Sequence, residues 1–194
     1  EIGLGIPAEP LFRSSKLPQV SRLQERYHVD SISAEDKVDG FVTTLFTEEQ
    51  FKRLITDENG LSVALDGDKL IAYAMAASWQ YWSEWPFFQK MIADLPEIEY
   101  LGQVATVDNS YQYGPICIDK AYRGSGVLEN LFDFSRETMK ERYPILLTFV
   151  NQANPRSITA HKNKLHLDVL KEFQFNNNDY FTLGFDTQKS VFDF

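Results

Sequence analysis

The run ILLTFV, residues 145–150, sets six residues without a charge in a row, the pattern of a central strand covered on both faces. It follows a segment, 125–142, in which Val127, Leu128, Leu131, Phe132 and Met139 recur at helical spacing. Lys140 and Arg142 suit the C-terminal end of that helix, and Pro144 lies past its stop. Before it, YQYGPICID reads as another strand, joined to the helix through the glycine-containing turn AYRGSG. A chain that alternates strand, turn, helix and buried strand has to build a sheet with helices packed on it.

The remaining segments extend this pattern. LSVALDGDKLIAYAMAASW is two apolar runs joined by Asp66-Gly67, a β-hairpin signal, and VLKEFQF, NNND and YFTLGFD predict a second hairpin. Thr47 reads as an N-cap, with Glu48, Glu49 and Gln50 in the first turn of a helix to about Thr56. A helical piece over 86–94 falls within the aromatic-rich insertion QYWSEWPFFQKMIADLPEIEY, while RYHVDSIS and GFVTTLFT look extended. Asn154-Pro155 supplies an N-cap and a first helical position for the short helix PRSITAHKNK. Residues 1–20, with three prolines and two glycines, predict an extended N-terminal arm, leaving 21–194 as a single domain of α/β (α+β) class.

Composition narrows the partners. With 28 Asp+Glu against 19 Lys+Arg the net charge is −9, which excludes a general attraction to nucleic acid or an anionic membrane. An anionic ligand therefore needs a local site. Cys117 is the single cysteine, so neither an intrachain disulfide nor a zinc site built on several thiolates is expected, and a reducing, cytoplasmic setting fits. No apolar run is long enough to span a membrane, and no metal site is expected.

A strand entering a helix through glycines leaves N–H groups at the helix start without intrahelical partners, and these amides favour an anion such as phosphate. Gly124 and Gly126 let the backbone approach it, and Arg123 can add a charge-assisted contact. The turn is not a Walker loop, because Val127 and Leu128 follow the last glycine where Lys and Ser/Thr would stand. It is not a dinucleotide fingerprint either, since Glu129 occupies the third glycine position and LLTFVN holds no acidic residue where one is required.

ICIDKAYRGSGVLENLF resembles the strand and pyrophosphate loop of the GNAT superfamily of acyltransferases, whose signature reads Gln/Arg-x-x-Gly-x-Gly/Ala. Arg123 and Gly126 match its first and fourth positions, and Leu128 stands at the sixth. NQANPRSITAHKNKLHLDVLKEFQF is similar to the family's strand-end asparagine, short helix and terminal strands, with His166-Leu167 where Gly-Phe is usual and one extra helix residue. The resemblance covers roughly 27–187 and implies a mixed, mostly antiparallel sheet with a central parallel strand pair and helices on both faces. It implies acetyl-CoA, or another acyl-CoA, with its pyrophosphate on the amides of Arg123, Gly124, Ser125, Gly126, Val127 and Leu128. The backbone of Ile116 and Ile118 and the side chain of Asn154 would meet the pantetheine arm.

The implied activity is N-acyl transfer to a small-molecule amine or a protein amino group, by direct attack in a ternary complex. A non-catalytic acyl-CoA-binding sensor or interaction domain is the alternative. His161 lies seven residues after Asn154, where the family often has a tyrosine acting as general acid; Tyr113 and Tyr122 stand as fallbacks. Glu84, among aromatic residues, offers a base or an acceptor contact, although such a cluster equally reads as packing or as an oligomer interface, such as that of a homodimer. Cys117, between two isoleucines in a strand, reads as packing rather than as a nucleophile.

Overall fold

The computed structural model describes residues 4–5 and 10–194. In chain order the first elements are β1 (Leu4–Gly5), α1 (Pro10–Ser15), α2 (Leu17–Arg26), α3 (Glu48–Thr56), β2 (Leu61–Asp66), β3 (Lys69–Ala77), α4 (Trp79–Trp82) and α5 (Pro86–Asp94). They are followed by β4 (Glu99–Tyr100), β5 (Gln103–Val104), β6 (Ser110–Ile118), α6 (Val127–Met139), β7 (Ile145–Asn151), α7 (Pro155–Thr159), β8 (Asp168–Phe175) and β9 (Asn178–Asp186). The main sheet has the order β1-β2-β3-β6-β7-β9-β8; it is mostly antiparallel, and β6 and β7 form its parallel pair. This is the mixed α/β class expected. The chain divides into two compact units, Glu1–Met75 with Pro115–Thr138 and Ala76–Gly114 with Met139–Phe194, and the division passes through β3 and β6.

In the first unit, β2 and β3 form the expected hairpin, with Asp66 opposite Lys69 and Gly67 at φ 58° in the turn. Thr47 caps α3 with a complete capping box, its Oγ1 accepting from the Gln50 amide at 3.1 Å while its own N–H donates to Gln50 Oε1 at 2.8 Å. Phe51 on the inner face of this helix meets the Tyr73 ring edge-on at 5.8 Å, which ties the helix to the hairpin.

Two expectations for this unit are corrected. Of the arm predicted over 1–20, residues 1–3 and 6–9 lie outside the described residues, but 10–20 is helical rather than extended. Leu17 and Val20 are buried, and the buried Arg13 guanidinium donates to the Leu61 carbonyl at 2.7 Å. RYHVDSIS and GFVTTLFT do not form strands; they share one bridge, His28 with Val42. Between them the Ser33 hydroxyl takes the Asp36 N–H at 3.2 Å and turns the chain into a 3₁₀ segment.

The second unit is built on β7, which pairs with β9 along its whole length from Ile145 opposite Asp186 to Asn151 opposite Tyr180. Ile145, Leu146 and Leu147 are fully buried, as the apolar run requires. The β8–β9 hairpin turns on Asn176 and Asn177 at φ 48° and 61°, the left-handed pair of a type I′ turn. The aromatic insertion is a packing unit. Trp82 is 0% exposed, its ring lies 4.6 Å from Phe88 and 5.0 Å from Tyr81, and its Nε1–H donates to the Gln112 carbonyl at 3.3 Å. Among the described residues, no helix is long and apolar enough to cross a membrane.

Candidate functional site

The parallel pairing of β6 with β7 covers only Ser110–Gln112 against Ile145–Leu147. Beyond it, Gly114 takes φ 97° and is followed by Pro115, which has no N–H to donate. This Gly-Pro step is a feature that the reading of YQYGPICID as a plain strand passed over. Further along, the Asp119 N–H donates to the Ile71 carbonyl of β3 at 2.8 Å. Backbone groups alternate sides along a strand, so those of Ile118 and Ile116 face away from β3. The Ile118 carbonyl there accepts a 3.1 Å bond from Arg123 Nε.

The turn that follows is held from below. The Asp119 side chain, 3% exposed, accepts the Ala121 N–H at 3.0 Å, and the Tyr27 hydroxyl accepts the Lys120 N–H at 2.7 Å. Ser125 Oγ donates to the Tyr122 carbonyl. Asn130, one helical turn on, donates from Nδ2 to the Gly126 carbonyl at 2.8 Å, and its backbone N–H reaches the same oxygen at 3.1 Å. In a trans peptide the next N–H points opposite that carbonyl, so the Val127 amide faces outward. Among the described residues, the N–H groups of Gly124, Gly126, Val127 and Leu128 donate to no protein acceptor. Gly124 and Gly126 have φ 78° and 88°, and a Cβ on Gly124 would meet nothing within 4 Å. These glycines serve backbone conformation rather than close packing.

The result is a cluster of outward amides at the N-terminus of a 13-residue helix, anchored by the buried Val127, Leu131 and Phe132, with Leu128 half-buried. Arg123 is not extended over the turn: its guanidinium lies 5.1 Å above the Tyr27 ring, and its own N–H already bonds the Lys120 carbonyl. The roles of Asn130, Tyr27 and Asp119 escaped sequence reasoning. Only Asn130 left a trace, a polar amide four residues after a glycine at a helix start.

In the second unit, Asn154 caps α7 as expected, its Oδ1 accepting the Ser157 N–H at 3.0 Å. The helix then passes into a π turn over Ala160–Lys164, closed by Leu165 N–H to the Ala160 carbonyl at 3.1 Å. His161 sits in that turn, 8% exposed, with Nδ1 2.7 Å from the Ser157 carbonyl. A carbonyl only accepts, so Nδ1 carries the proton and Nε2 of the neutral ring is bare. Burial lowers the His161 pKa, outweighing the Ser157 bond that raises it. In this state the proton of the neutral ring lies on Nδ1 against Ser157, so Nε2 is placed to accept a proton rather than to give one.

A depressed folded pKa contributes stability that is present above the unfolded value of 6.5 and lost as pH falls through the folded value. The urea midpoint of the native protein is expected to drop as pH falls below 6.5, and that of His161→Gln to drop less; equal slopes would contradict this protonation state.

The other candidates are placed as follows. Glu84 is exposed on the turn between α4 and α5, at the rim of the packed aromatic cluster rather than within it. Tyr113 is fully buried and burial pushes its phenol up, while Tyr122 donates to Asp66 at 2.6 Å, a bond that raises its pKa. Burial pushes the Cys117 thiol up to about 12, which makes it a packing residue. Cys117 is expected to resist a disulfide reagent at mildly alkaline pH in the native state and to react fully after unfolding; rapid native labelling would contradict this burial. Among the described residues, no cluster of potential ligands could hold a metal ion.

No family model and no curated protein matches the sequence. Solved structures match it along almost its whole length. The ribosomal-protein-S18-alanine N-acetyltransferase of Escherichia coli is 12% identical with a TM-score of 0.59, the match covering 95% of this chain and 94% of that one. An N-acetyltransferase of Staphylococcus aureus Mu50 is 14% identical at 0.59, over 95% and 99%. The yncA protein of Salmonella typhimurium, solved with its cofactor acetyl-CoA, is 10% identical at 0.58, over 95% and 94%. The fold is that of the GNAT N-acetyltransferases.

Two local features stand where the sequence departs from the GNAT pattern. The π turn absorbs the extra residue noted after Asn154, because an i to i+5 bond lets one residue in without ending the helix. His166, where the family usually has glycine, takes φ 58° and stacks its ring on Phe194 at 4.6 Å.

Proposed function

We propose that the protein is an acyl-CoA-dependent N-acyltransferase that moves an acetyl group from acetyl-CoA to a primary amine by direct attack in a ternary complex. The observation that carries this reading is the set of outward N–H groups of Gly124, Gly126, Val127 and Leu128 at the start of α6. Four amides and a helix dipole suit a pyrophosphate, and the side chain of Leu128 does not alter what its amide donates. The outward backbone of Ile116 and Ile118 suits the amide groups of a pantetheine arm, with Ile118 exchanging its Arg123 bond or offering its N–H. The thioester supplies an activated acyl group and a thiolate leaving group of ordinary pKa, so positioning of the amine carries much of the rate.

A second reading, acyl-CoA binding without catalysis, is favoured by one observation: His161 holds its proton on Nδ1 against the Ser157 carbonyl and Glu84 lies exposed at the rim of the aromatic cluster, so neither is placed as an acid for the leaving thiolate. Thermal shift with acetyl-CoA, CoA and NAD tests the common part. Both CoA species are expected to raise Tm and NAD is not; no shift with either CoA species overturns both readings. Release of free thiol across a panel of amines then separates enzyme from sensor, since an enzyme gives an amine-dependent rate and a sensor gives none.

A further inference from the structure

Two polar side chains of the second unit meet where β6 and β7 part, and both are short of a hydrogen bond among the described residues. Gln112 closes the parallel pairing opposite Leu147 and is 0% exposed. Its Nε2–H donates to the Tyr113 carbonyl at 2.5 Å, while its buried Oε1 accepts from no group. Thr148, one residue past the pairing on β7 and 3% exposed, makes no side-chain hydrogen bond. Gly114 borders both: a Cβ built on it would lie 3.5 Å from Thr148 Oγ1 and 3.8 Å from Gln112 Nε2. The missing side chain keeps that space open.

Buried polar groups in folded proteins nearly always find a partner, so two neighbours that do not call for a third body between them. Their chemistry says what it must offer. A carboxamide oxygen only accepts and a hydroxyl can donate, so the fitting group carries an N–H beside an oxygen acceptor. An amine attacking a thioester carbonyl presents that pair. The strand is fixed at this point, because the Trp82 Nε1–H holds the Gln112 carbonyl at 3.3 Å. The carboxamide is not: its one bond runs to the neighbouring Tyr113, so it turns toward a ligand without breaking a contact between elements. In so dry a place each hydrogen bond to a developing charge counts for more than it would in water.

We infer that Gln112 and Thr148 are the polar contacts of the reacting centre, an inference that rests on the acyl-CoA reading. Thr148 Oγ1 donates to the acyl carbonyl oxygen, and Gln112 Oε1 accepts an N–H of the incoming amine. The nitrogen lone pair forms the N–C bond, and the carbonyl π pair moves onto the oxygen that Thr148 holds. Return of that pair breaks the C–S bond and releases CoA as its thiolate. The surplus proton on nitrogen passes to water, because a carboxamide cannot take it. The acceptor therefore has to arrive as a neutral amine, and the rate should follow the amine's own pKa.

The test joins calorimetric titration of acetyl-CoA and CoA into the native protein, Thr148→Val and Thr148→Ser with the pH profile of thiol release by the native protein and Gln112→Glu. Urea midpoints establish that each variant is folded. Thr148→Val is expected to bind acetyl-CoA about fivefold more weakly and CoA unchanged, while Thr148→Ser keeps the native affinities. Its kcat should fall about a hundredfold, the cost of one lost oxyanion donor. Gln112→Glu puts a base beside the amine, so the rise of kcat/KM should begin at lower pH than in the native protein. If that variant does not fold, Gln112→Met replaces it, with a raised amine KM and unchanged acetyl-CoA affinity expected. Thr148→Val affinities that change alike for acetyl-CoA and CoA, or not at all, overturn the inference and leave the two groups as a site for water. An unshifted pH profile in Gln112→Glu, or an unchanged amine KM in Gln112→Met, overturns the amine contact. Binding without thiol release from any amine also overturns it and leaves the Thr148 contact to the titration. No binding of either CoA species to the native protein overturns the acyl-CoA reading itself, and the inference with it.

Discussion

Gly126→Val is expected to weaken CoA binding by roughly ten- to a hundredfold, because it removes a charge-assisted amide contact worth about 1.5–3 kcal/mol. Gly126 stands at φ 88°, a conformation that costs an L-residue about 1–2 kcal/mol, and a β-branched side chain there must relax toward negative φ. That relaxation rotates the peptide whose carbonyl Asn130 holds and turns the Val127 amide away from its ligand. Gly102→Val is the control. Gly102 also has positive φ, at 74°, with nothing within 4 Å of an added Cβ, but it lies in the β4–β5 turn. Both variants should lose similar stability by urea titration, and only Gly126→Val should lose CoA affinity by calorimetry. Equal affinities in the two variants would remove the turn from the binding site.

Trp82→Ala should be the most destabilising single change considered, by about 3–5 kcal/mol, the usual cost of deleting a fully buried aromatic side chain. The indole is fully buried, packs on Phe88, Tyr81 and Trp85, and its Nε1–H satisfies the Gln112 carbonyl. For a chain of this length each kcal/mol shifts Tm by about 2–4 °C, so a drop on the order of 10 °C is expected. Trp82→Phe should recover much of it, since the ring contacts return and only the Nε1 bond stays lost. A melting temperature unchanged in Trp82→Ala, with a raised acceptor KM, would instead make the insertion a lid over the acceptor.

Where one residue's own chemistry decides a local structure, the sequence was a reliable guide. Thr47 with Gln50, Asp66-Gly67, Asn154-Pro155 and the left-handed Asn176-Asn177 pair all sit in the caps and turns their types favour. The N-terminal segment misled for a physical reason. Its proline content predicts an extended arm, yet Pro10 and Pro18 occupy the first turns of α1 and α2, where proline's missing N–H has no partner to lose.

The candidate site was legible where it is backbone and illegible where it depends on burial. Gly124 and Gly126 announce their turn, and Gly114-Pro115 could have announced the end of the parallel pairing. The protonation of His161 could not be read, because it is set by a carbonyl four residues back and by neighbours that cover the ring. Nor could the meeting of Arg26, Lys120 and Arg123 around Tyr27, which brings together positions some ninety residues apart.

The central claim, that the amides opening α6 hold the pyrophosphate of an acyl-CoA, is tested most directly by amide resonances followed during titration with acetyl-CoA. Saturable shifts concentrated on Gly124, Gly126, Val127 and Leu128 are the result expected. Saturation that leaves these four unmoved, or no saturation at all, would contradict the account.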